Sequence, residues 1–120
     1  MNSDLPVHRI GGGDASNLAL KPAEARLTPP GISVLLGGTP PEAAAEMRSA
    51  FPNATRLLES AKTVGTGTVA QIRAAGFDVI AAPSRNLPNH GRIIHSLGAA
   101  GFTPENLEKL AQQLTNTTGL

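Results

Sequence analysis

Cysteine is absent from the 120-residue chain, which excludes disulfides, thiolate catalysis and cysteine-ligated zinc. It also fits a reducing compartment. Trp and Tyr are absent and Phe occurs three times, so the chain lacks the aromatic rings that form a stacking platform for single strands. The core must be filled by Ile, Val, Leu and small residues. No apolar run approaches the ~18 residues of a membrane helix, and no membrane partner is expected. A surplus of charge is missing too. Ten Lys and Arg face nine Asp and Glu, a formal net charge of +1, and any binding to a polyanion needs a local patch. The start Met1-Asn2-Ser3-Asp4 has neither a basic nor an apolar leader segment, so a cytoplasmic location is expected, with export only by a larger delivery system.

What is present reads as one α+β domain spanning 1–120, with 1–5 and 115–120 as loose tails. Its length allows a core without covalent staples. Val7 to Ile10 makes a first strand, stopped by Gly11-Gly12-Gly13, and Pro22 to Leu27 a helical turn. Ile32 to Leu36 is a short apolar run between glycines and reads as a buried strand. Thr39, Pro40 and Glu42 form a capping box, and Pro52 ends the helix they start. Residues 54–61 suit a short helix. Lys62 to Val64 suits a strand, broken by Gly65-Thr66-Gly67-Thr68 before a helix over 69–75 that Gly76 ends. Strands follow over 77–82 and 91–96. The link between them is too short for a helical crossover, so they should be antiparallel neighbours. Thr103, Pro104 and the Leu107, Leu110, Leu114 stripe start and line a last helix. The expected architecture is a small mixed or mostly antiparallel sheet packed by about three helices.

Chemistry is concentrated in Ser84 to Ser96, which holds Arg85, Asn89, His90, Arg92 and His95 without one acid. Cationic donors without carboxylates suit a phosphate or another anion. On a strand, His90 and Arg92 share a face and His95 points away. His8 and Arg9 on the first strand could join them. Two imidazoles flanking a phosphodiester can act as base and acid without metal, and an Arg can stabilise the added charge. An ordinary solvated hairpin explains the same residues. No metal site is expected, because the histidines lack ligand spacing. The glycine-rich turns lack the phosphate-loop spacings, and no nucleophile elbow is present.

At Gly76-Phe77-Asp78-Val79-Ile80 and Pro88-Asn89-His90-Gly91-Arg92-Ile93-Ile94-His95, the chain resembles small bacterial toxin domains of the barnase, EndoU, colicin and RelE-like ribonucleases. The resemblance implies a metal-independent ribonuclease toxin of a toxin–antitoxin type. RNA would be its substrate, a cognate immunity or antitoxin protein its partner, and no cofactor would be needed. His90, Arg92, His95 and His8 would be catalytic, and Arg9, Arg85 and Asn89 would bind substrate. Val7-His8-Arg9-Ile10 and Ile32-Ser33-Val34 also resemble the strands of ADP-ribosyltransferases, which would imply NAD. That chemistry uses a Glu on a late strand, whereas Glu105 and Glu108 fall on the last helix. A non-catalytic antitoxin, inhibitor or adaptor is the remaining alternative. Oligomeric state is left open.

Overall fold

A computed structural model describes residues 1–120. Six strands form one sheet in the order β4-β5-β2-β1-β3-β6. They are β1 (Pro6–Ile10), β2 (Gly31–Leu36), β3 (Val64–Thr68), β4 (Asp78–Ala81), β5 (His90–Ile94) and β6 (Thr115–Thr117). The helices are α1 (Pro22–Ala25), α2 (Pro40–Ala50), α3 (Thr55–Ser60), α4 (Val69–Ala74) and α5 (Pro104–Gln112). The fold is α+β as expected, with five helices rather than about three. Every strand pairing is antiparallel, so the sheet is not mixed. No helix is long and apolar enough to cross a membrane.

The sheet has two differently covered faces, as its period of two requires. On one face Val7, Ile32, Val34, Ile93 and Val79 meet Ile72 of α4 and Leu107 and Leu110 of α5. Each fully buried Leu or Ile there is worth about 2 kcal/mol of apolar burial. On the other, Leu35 and Ile10 meet Ala43 and Met47 of α2, Leu57 of α3 and Leu87 of the β4–β5 connection. Helix α2 begins where the sequence indicates. The Thr39 side chain accepts from the Glu42 amide, and Glu42 reaches back to the Thr39 amide at 3.0 Å. Thr68 and Gln71 make the same reciprocal cap on α4.

Three expectations are corrected. Gly65-Thr66-Gly67-Thr68 does not break a strand; it is β3, paired with β1 along its whole length. Glycine is needed there because other segments cross it closely. A Cβ on Gly65 would run into the Gly13 backbone, and one on Gly67 would lie 2.8 Å from Leu114 Cδ2. The C-terminal residues are not loose. Thr115–Thr117 pairs with β3, the Leu120 amide donates to the Lys62 carbonyl, and Arg48 holds the Leu120 carbonyl. The first residues are also held, since the Val69 and Ala70 amides that open α4 donate to the Leu5 and Ser3 carbonyls.

Replacing Gly65 by Ala should cost about 3 kcal/mol or more, as overpacking against immovable backbone does. Gly76→Ala is the control. Gly76 has a φ of +90° and nothing within 4 Å of an added Cβ, so it should cost only the ~1–2 kcal/mol of a left-handed backbone. Urea denaturation of both variants checks the ranking.

Candidate functional site

The ladder between β1 and β2 runs only from Val7↔Leu36 to His8↔Leu35. Beyond it the strands part, and side chains replace the missing backbone bonds. Arg9 Nη1 donates to the Ser33 carbonyl at 2.9 Å, and the Ser33 amide donates to Glu24 Oε2 at 2.9 Å. Ser33 therefore keeps both of its β1-side bonds without a strand opposite it. Arg9 Nη1 and Glu24 Oε2 are 3.5 Å apart, with side chains only 6% and 10% exposed. Glu24 Oε1 accepts from the Lys21 amide at 3.0 Å, where α1 begins. Arg9 Nε donates to the Asn17 carbonyl, and the Asn17 side chain holds the Ile10 and Gly12 carbonyls. Gly11 and Gly12, at φ of +94° and +103°, let the chain turn back at this point.

The parting of the strands opens a cavity of about 310 Å³ that continues to the α2–α3 side of the sheet. Arg9, Glu24, Ser33 and His90 supply polar lining, and Leu35, Met47 and Leu57 supply an apolar wall. The volume lies at the lower end of small-ligand sites, about 300–1,000 Å³. Arg9 Nη2 is buried and has no hydrogen-bond partner in the protein. Burial pushes the Arg9 pKa down, and the Glu24 carboxylate opposes that shift by charge and hydrogen bond. His90 Nδ1 lies 2.9 Å from the Ala82 carbonyl. A carbonyl only accepts, so Nδ1 carries the proton, and the neutral ring keeps a lone pair on Nε2.

The other site residues expected from the sequence are dispersed. His8 and His90 lie opposite Leu35 on its two sides. They share a face, with Cα atoms about 10 Å apart across two strand spacings. His8 is fully buried and both ring nitrogens are used. Nε2 donates to the Gly37 and Gly38 carbonyls at 3.1 Å, and Nδ1 accepts from Thr66 Oγ1 at 2.8 Å. It holds the sheet to the turn before α2 and has no atom left for proton transfer. Arg92 shares the His90 face but donates to the Pro29 carbonyl at 2.7 Å. His95 lies past the end of β5, edge-on to Phe77 at 5.0 Å, and its Nδ1 accepts from the Leu97 amide. Arg85 is exposed, and the Asn89 amide group donates to Glu46. The expected acid-free cluster is thus corrected: of its members only Arg9 and His90 line the cavity, and Glu24 lines it with them.

Glu24, Ser33 and Asn17 were not expected. Glu24 sits two residues after Pro22 and reads in sequence as a helix-start acid. Nothing local reveals that its carboxylate turns inward to β2. The one available signal was Arg9 itself, a cation near the end of a mostly apolar strand, which needs a partner if it is buried. No three His, Asp or Glu side chains come together as a metal-ligating group. The chain matches no family model, no curated protein and no solved structure, so the site is interpreted from its own geometry.

Glu24→Ala should destabilise the protein by about 3–5 kcal/mol, because it leaves a buried guanidinium unpaired. Glu24→Gln, which still accepts from Ser33, should cost clearly less; denaturant titration measures both. A second expectation concerns pH. Burial lowers the His8 pKa below 6.5, so the unfolded chain takes up this proton before the folded one. His8 stabilises fully above pH 6.5, and that stability is lost as pH falls through its lower folded value, with a slope of at most about 1.4 kcal/mol per unit. Unfolding free energies from pH 7.5 to 5 should show this slope in the wild type and a shallower one in His8→Asn.

Proposed function

We propose that the domain binds a small organic molecule in the cavity between β1 and β2, with Arg9 donating to it and His90 exchanging a proton with it. The observation that carries the reading is Arg9 Nη2, a buried donor without a protein partner on a residue lining the cavity. A buried donor left unmade costs about 1–3 kcal/mol, and a ligand oxygen would recover it. His90 supports the second role. It reaches the same cavity from β5 with its Nε2 lone pair uncommitted. A positioned imidazole of this kind typically contributes about 10²–10⁴-fold to a proton-transfer step.

Cleavage of an RNA phosphodiester is the second reading, supported by that same His90 lone pair. His90 would take the proton of the attacking hydroxyl. Lys21, which also lines the cavity, would protonate the leaving oxygen. On this reading His90→Gln lowers cleavage about 10²–10⁴-fold, and RNA left intact by the wild type removes it.

The test of the first reading is a fragment screen by amide-resolved NMR. Binders should shift Ser33, Leu35 and Leu57, and Ser60→Trp at the cavity wall should abolish the effect. A screen in which no compound shifts these amides contradicts the proposal.

A further inference from the structure

The donors left free on Arg9 define the ligand more narrowly. A guanidinium has five N–H groups. The Nε group is used by the Asn17 carbonyl, and Nη1 faces the Ser33 carbonyl and Glu24 Oε2. Only the two N–H groups of Nη2 are free. Fork-like recognition of a carboxylate or phosphate uses parallel N–H groups from two nitrogens, and Arg9 has no second nitrogen to offer. Its charge is also already met by Glu24, 3.5 Å away. An anion placed on Nη2 would bring a second negative charge up to that carboxylate, in a place water reaches poorly.

His90 adds the complementary half. Its Nδ1 proton is tied to the Ala82 carbonyl, so towards a ligand the neutral ring presents an acceptor. Leu35, Met47 and Leu57 offer apolar surface in the same cavity. Building on the binding role argued above, we infer that the ligand is an uncharged amide-type compound. Its carbonyl oxygen accepts from Arg9 Nη2, its N–H donates to His90 Nε2, and its ring or alkyl body lies on Leu35, Met47 and Leu57. Glu24 is then a specificity-determining residue: it leaves only the Nη2 N–H groups for a neutral oxygen and repels anions.

Benzamide, benzoate and phenyl phosphate share one ring and differ in charge, so they test this inference by NMR titration of the full chain. Benzamide should shift Ser33, Leu35 and Leu57, and both anions should bind about tenfold more weakly or worse, given the cost of like charges side by side. Glu24→Gln removes the charge and keeps an acceptor for Ser33, so it should narrow or reverse the preference. His90→Gln should weaken benzamide without strengthening benzoate. If benzoate or phenyl phosphate binds the cavity at least as tightly as benzamide, the inference fails while the binding role stands. If none of the three shifts those amides and the fragment screen also yields no cavity binder, both fail. An unaltered preference in a folded Glu24→Gln also overturns the inference.

Discussion

An ion pair stands where two strands should meet. Past His8↔Leu35, β1 and β2 have no ladder, and Arg9 and Glu24 complete the bonding of Ser33 in its place. Removing one partner of such a pair is costly because the other remains charged in a poorly solvated place. The pair therefore fixes the separation of the strands, and the separation makes the cavity. One guanidinium thus satisfies the sheet at Ser33 with Nη1 and the turn at Asn17 with Nε, and leaves Nη2 without a partner.

The rest of the fold accommodates this opening. Small residues let segments cross where side chains would collide: Gly13 lies over Gly65, and Leu114 lies against Gly67. The chain end closes over the far side as β6, with Asn116 accepting from the Gly13 amide at 2.7 Å. Those contacts hold the Gly11-Gly12-Gly13 turn, which positions Asn17 against the Arg9 Nε group. On the opposite side, Leu87 anchors the β4–β5 connection against α2 and so places His90 at the start of β5. Three distant parts of the sequence thereby converge on one cavity.

Local signals were legible where physics is local. Thr39 with Glu42, Thr103 before Pro104, and the apolar run at 32–36 marked two helices and a strand. The short link between residues 82 and 90 indicated the antiparallel β4–β5 pair. Gly65 and Gly67 misled because glycine at a crossing looks the same in sequence as glycine in a turn. Thr115–Thr117 was missed because a three-residue edge strand has no periodicity of its own. Of the site, Arg9 and His90 stood out as basic residues on strands. Their surroundings did not, since the bond that draws Arg92 to the Pro29 carbonyl and the inward turn of Glu24 are set by tertiary packing.

The dependence of strand separation on one pair can be measured by a double-mutant cycle of Arg9→Met and Glu24→Leu in urea. The double variant should cost far less than the two single changes added together, with a coupling of about 2–3 kcal/mol. Additivity within about 0.5 kcal/mol would mean that the two residues act independently, and that the cavity owes its form to something else.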